Sequence, residues 1–123
     1  MNTIEFFGIT TELATANEVI LTMPITDKTK QPYGVVHGGI NAMLAETAAS
    51  IGGNAAINDA HRAAVGVDLE IHHLNAVTEG TLKAVATPIH VGHRLQTWQV
   101  NLYETTTETH VAVSIVTLTS RTI

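Results

Sequence analysis

Cysteine is absent from the 123 residues, which removes thiol nucleophiles, zinc–thiolate sites and disulfide frameworks from consideration. Charge is scarce: 14% of residues are charged, and eleven acids against six bases leave a net −5. That balance argues against a nucleic-acid partner. So few charges cannot coat a monomer of this size, so buried self-association is expected. No stretch approaches the ~20 apolar residues of a membrane span. The chain does not start with a basic region, an apolar run and a small-residue cleavage site, so the expected location is cytoplasmic with no membrane partner. What remains is 45% hydrophobic, enough for one domain over 1–123 that buries roughly two thirds of its extended-chain surface without a staple.

What is abundant is β-branched. Threonine is the commonest residue, at 19, and valine is plentiful beside it. Strands are expected over 4–14, 18–24, 63–74, 80–90, 95–104 and 109–119. The cleanest alternation puts Trp98, Val100 and Leu102 on one face, and Val113, Val116 and Leu118 recur more loosely. The polar Thr105–Glu108 connection suits a hairpin, and 75–80 is read as separating another antiparallel pair.

Residues 39–57 break this pattern. Ile40, Met43, Leu44, Ala48 and Ile51 recur at helical spacing, without proline, so one long helix is expected. Its alanines and glycines leave little bulk around most of the circumference, as a helix wrapped by a curved sheet requires. The order of elements reads as α+β with an antiparallel sheet.

Glu46 is the one charged residue between Lys30 and Asp59. With no other charge to define a wet helix face, its carboxylate is expected to be partly desolvated, hence a stronger base or nucleophile. Ser50 lies one turn on, on the same face. Tyr33-Gly34-Val35-Val36-His37-Gly38-Gly39 leads into the helix. Backbone N–H groups at a glycine-bounded helix start, with the positive end of the dipole behind them, can polarise a carbonyl. His37 and Glu46 are nine residues apart, about 13 Å along a helix, so one chain does not readily bring them together. A second copy packed antiparallel can bring the helix start of one subunit to Glu46 of the other.

The run from Gln31 to Gly39, followed by Leu44-Ala45-Glu46 and Ser50, resembles the hotdog-fold acyl-CoA thioesterases. The resemblance is closest to the subgroup containing 4-hydroxybenzoyl-CoA and 1,4-dihydroxy-2-naphthoyl-CoA thioesterases. It continues through Met23-Pro24, Val65-Gly66, His73 and the run from Pro88 to Arg94, nearly the whole chain. It implies an antiparallel sheet of five to six strands around one central helix. It implies hydrolysis of acyl-CoA thioesters, with aryl groups indicated by the subgroup. Glu46 would attack the thioester carbon or activate water, the Gly38 N–H would polarise the carbonyl, Gln31 and His37 would assist, and Ser50 would place the water. Coenzyme A, part of the substrate, would run past Gly66, His73, Leu74, His90, Val91, Gly92, His93, Arg94 and Leu95, with Arg94 as a phosphate partner. The site would be shared across a dimer, with dimers pairing into tetramers. Three departures stand out: Asn75 in place of a basic residue, His93 in place of a small polar one, and a short N-terminus without a leading helix.

Two other readings fit the same fold: a non-catalytic acyl-CoA binder and a dehydratase of 3-hydroxyacyl thioesters. The isolated carboxylate and its spacing from His-Gly-Gly favour hydrolysis over both. Seven histidines invite a metal reading, but adjacent strand residues such as His72 and His73 point to opposite faces, and no acid stands at ligand spacing. No metal or cofactor is expected.

Overall fold

A computed structural model describes residues 1–123. The elements run α1 (Thr3–Phe7), β1 (Thr10–Ala14), β2 (Val19–Pro24), α2 (Gly38–Ala56), β3 (Arg62–His73), β4 (Thr81–Val91), β5 (Leu95–Glu104) and β6 (Thr109–Thr122). The six strands form one antiparallel sheet in the order β1-β2-β4-β5-β6-β3. The chain leaves β2 near one edge, runs through α2 across the sheet, and enters β3 at the opposite edge.

α2 is long because alanine and leucine favour helix and no proline interrupts it. Its buried residues, Asn41, Leu44, Ala45, Ala48, Ala49, Gly52 and Gly53, recur at three and four, so one stripe faces the sheet. The strands answer with alternating buried residues: Leu21 and Met23 on β2, Leu82, Ala84 and Ala86 on β4, Trp98, Val100 and Leu102 on β5. Contact is closest at the C-terminal half of the helix. A Cβ on Gly52 would stand 2.6 Å from Trp98 Cζ3, and one on Gly53 would stand 2.6 Å from Leu118 Cδ1. The polar groups beside them are paired. Trp98 Nε1–H donates to Gln96 Oε1 at 2.9 Å, Gln96 Nε2 donates to the Gly53 carbonyl, and Asn54 Oδ1 accepts the Ala64 N–H at 2.7 Å.

Four expectations are corrected. The first strand is not continuous from residue 4: Thr3–Phe7 is a leading helix, started by the Asn2 side chain accepting the Glu5 N–H and stopped by Gly8 at φ 69. The segment 75–80 does not join neighbours, because β3 pairs with β6 and β4 lies between β2 and β5. Val113 does not share the inner face. The register shifts between Leu102 and Tyr103, two adjacent residues, Val111 and Ala112, are both buried, and Ala112, Ser114, Val116 and Leu118 then point inward. The fourth concerns Glu46 and belongs with the site.

Candidate active site

The start of α2 is delivered by a loop that closes on itself. Gln31 N–H donates to the Val35 carbonyl and His37 N–H to the Thr29 carbonyl, both at 2.9 Å. The Gln31 side-chain oxygen accepts the Tyr33 N–H within the same loop. His37 is the N-cap, its Nδ1 accepting the Gly39 N–H at 2.8 Å. Gly38, the first helical residue, has no carbonyl one turn behind it to take its own N–H. His73, at the end of β3, lies over it: a Cβ on Gly38 would stand 2.9 Å from His73 Nε2. Asn41 Nδ2 reaches His73 Nδ1 at 3.3 Å from one turn inside the helix. Gly38, Asn41, His73 and Leu74, with Val36, Val77 and Val111, line a cavity of about 360 Å³.

Two turns along, Glu46 and Ser50 sit on the face of α2 that the sheet leaves uncovered. They line a groove of about 610 Å³ with Met43, Ile51 and Leu69, and Thr3 and Ile4 of α1 form its rim. Glu46 is exposed, so the desolvation expected of it is not provided by its own chain. The reason is geometric: Ala45, Ala48 and Ala49 take the inward positions and turn residue 46 outward. The β3 backbone nevertheless comes close, since a Cβ on Gly66 would stand 2.8 Å from Glu46 Cδ and 2.9 Å from Oε2. Next to it β3 carries a bulge between Gly66 and Asp68, leaving Val67 exposed.

A third location holds Val91, Gly92, His93 and Arg94, which line a cavity of about 690 Å³ between the β4–β5 hairpin and the end of α2. His90 and Leu95 shape that hairpin: the Leu95 carbonyl accepts the Gly92 N–H at 2.8 Å, and the His90 ring packs against Gly92. Arg62 lines the same cavity. Its Nη2 donates to the Ser120 carbonyl at 2.9 Å and its Nε to Ser120 Oγ at 3.0 Å.

The residues expected to share a site therefore occupy three places in one chain. His37, Gly38 and His73 meet at the helix start, Glu46, Ser50 and Gly66 meet about 12 Å further along the axis, and the hairpin group lies beyond the helix end. Asn41 and Arg62 were not anticipated from sequence. Asn41 looked like an ordinary polar helix position, and its one signal was falling in step with Gly38, Ala45 and Ala48. Arg62 follows a polar loop, and nothing local marks it as lining a cavity with Arg94. His72 turns away from the site, its Nε2 3.0 Å from Glu70 Oε1.

Comparison with known proteins gives this geometry its family. The model of the thioesterase superfamily matches residues 33–110. The chain is 32% identical over 103 residues to the 1,4-dihydroxy-2-naphthoyl-CoA hydrolase of Escherichia coli, covering 84% of this chain and 75% of that protein. It is 37% identical over 83 residues to the proofreading thioesterase EntH of Cronobacter sakazakii, covering 68% and 60%. The crystal structure of the thioesterase HI1161 from Haemophilus influenzae superposes with a TM-score of 0.91 at 32% identity, over 98% of this chain and 83% of that one. The chain belongs to the thioesterase superfamily: it is a thioester hydrolase on the hotdog fold.

Proposed function

We propose that the protein hydrolyses acyl-CoA thioesters, with aryl groups favoured, at two equivalent sites shared between the copies of a dimer. The carrying observation is the pairing of each half-site with β3: His73 over Gly38, and Gly66 against Glu46. β3 is an edge strand, hydrogen-bonded only to β6, and a twelve-residue open edge favours pairing with another strand. A two-fold axis at Glu70 would set Leu69 opposite the partner's Ile71 and Asp68 opposite the partner's His72. Gly66 and His73 differ by an odd number, which an unbroken antiparallel register cannot place on the same face. The bulge at Val67 absorbs the extra residue, so Gly66 comes opposite the partner's His73. Glu46 of one copy then approaches the helix start of the other, and the partner covers the carboxylate that its own chain leaves exposed.

In that site the Gly38 N–H draws electron density toward the thioester oxygen. The Glu46 carboxylate attacks the carbon itself or takes a proton from a water that attacks it. The C–S bond breaks, coenzyme A leaves as the thiol, and water supplies the second oxygen of the acid. Ser50, one turn from Glu46, suits a water-placing role. His37 acts by holding the Gly39 N–H and Gln31 by closing the loop, both keeping the helix start in place. Coenzyme A runs past Gly66, His73 and Leu74 toward the hairpin from His90 to Leu95, where Arg94 meets phosphate. The step calls for no cofactor beyond the substrate's own coenzyme A.

Thiol release from a panel of aryl- and fatty acyl-CoAs tests the proposal. Wild type should turn over at least the aryl members, and Glu46→Ala should lose roughly 10²–10⁴ in kcat. Equal rates for the two proteins would remove Glu46 from the mechanism. In a single turnover in labelled water, label appearing in Glu46 marks direct attack by the carboxylate, through an anhydride that water opens at the Glu46 carbon.

A further inference from the structure

We infer that Asn41 is a positioning residue that holds His73 as its Nε2–H tautomer, giving the thioester oxygen a second donor beside the Gly38 N–H. The inference rests on the hydrolytic reading above and concerns the half-site at the start of α2. Asn41 is 4% exposed, on the inward stripe of the helix among alanines and leucine. A buried amide in such surroundings needs partners at both ends. It finds one: Nδ2 lies 3.3 Å from His73 Nδ1, while Oδ1 has none. The amide must turn one end to the ring, and this end is the better choice. Turning the oxygen to the ring would strand an NH₂ group with two protons, and unpaired buried N–H groups are rarer than unpaired carbonyls.

With Nδ1 accepting, the proton of the neutral ring sits on Nε2. Nε2 is the ring atom nearest Gly38, 2.9 Å from where a Cβ would be built. Gly38 and His73, which carry these two N–H groups, therefore line the same cavity of about 360 Å³, at the positive end of a 19-residue helix. A carbonyl oxygen gaining negative charge in the transition state is stabilised by such a pair, because the donors are aimed before the reaction begins. His73 thus touches the reacting oxygen, and Asn41 acts through it.

Nitrogen-15 spectra of the histidine rings in the wild-type protein, at a pH where they are neutral, read the tautomer directly. His73 protonated on Nε2 with a bare Nδ1 is expected, and the reverse assignment overturns the inference without any mutation. Asn41→Asp keeps the shape but offers an acceptor, which draws the ring proton to Nδ1. It should lower kcat on the order of 10²-fold and hold KM within about threefold. Asn41→Ala leaves both tautomers open and should fall between, a pattern that loss of packing alone does not produce. If Asn41→Asp fails to fold, a kcat for Asn41→Ala equal to wild type overturns the inference on its own. A wild type that hydrolyses no thioester while showing the expected tautomer sinks the hydrolytic reading, and the oxyanion role falls with it.

Discussion

At the scale of single residues, the most strongly perturbed group lies outside the catalytic region. Glu104, buried at the end of β5, accepts the backbone N–H groups of Thr106, Thr107 and Thr81 and the Thr107 hydroxyl. Those donors, chiefly the backbone N–H of Thr106, hold its pKa down at about 2 against an ordinary 4.5. Gly80 permits the arrangement: its φ of 103 suits glycine, and a Cβ there would collide with the carboxylate. A depressed folded pKa means the unfolded chain binds more protons at acid pH. The stability Glu104 contributes is therefore complete above about pH 4.5 and is lost as the pH falls toward 2. Glu104→Gln should lower the melting temperature at pH 7 and flatten its decline between pH 4.5 and 2. Melting curves across that range check it, and an acid limb unchanged in slope would show that the carboxylate is not the group responsible.

At the scale of elements, the contact between α2 and β5 is decided by opposing effects. Gly52→Ala gains helix propensity worth about 1 kcal/mol. The same methyl enters the Trp98 ring, with Cζ3 at 2.6 Å and Cζ2 at 2.9 Å, in a region with no slack. Overpacking of this kind costs roughly 1–3 kcal/mol, so a net loss of stability is expected, read as a lower urea midpoint. An unchanged or raised midpoint would mean that the ring can move. This packing was legible in part: the helix and the β5 alternation stand out because each repeats at its own period over many residues. The five residues of α1 are too few for helical periodicity, and Ile4, Phe6 and Phe7 are residue types that strands also favour. The β3–β6 pairing joins residues some 50 positions apart, and no local pattern encodes it. Of the site, Glu46, His37 and Gly38 were legible as a motif. Asn41 was not, because a buried polar residue and a solvent-facing one look alike until the sheet is in place.

For the whole molecule, the prediction is complementation. Glu46→Ala and His73→Ala should each be severely impaired alone. If each site takes Glu46 from one copy and His73 from the other, mixed dimers carry one site with both residues native and one lacking both. After random re-association of equal amounts, about half the dimers are mixed and activity recovers to about a quarter of wild type. Activity no higher than the average of the two separate variants would place Glu46 and His73 of the same chain in one site. Dilution of wild type offers a second reading, since specific activity should fall with the dimer fraction measured by sizing.

The small residues of α2 carry a consequence for how such a protein diversifies. Ala45, Ala48 and Ala49 are fully buried and Gly52 and Gly53 are pressed against Trp98 and Leu118, so beyond its first two turns the helix leaves no space against the sheet. No acyl group can be accommodated there without dismantling the core. Under the proposed mechanism, room for substrates of different shape comes from the outer side of the helix, where Met43, Ser50 and Ile51 line an open groove with Leu69 of β3. Changes of substrate preference can then accumulate along that groove while the interior stays fixed, leaving foldability and selectivity to be tuned by separate sets of residues.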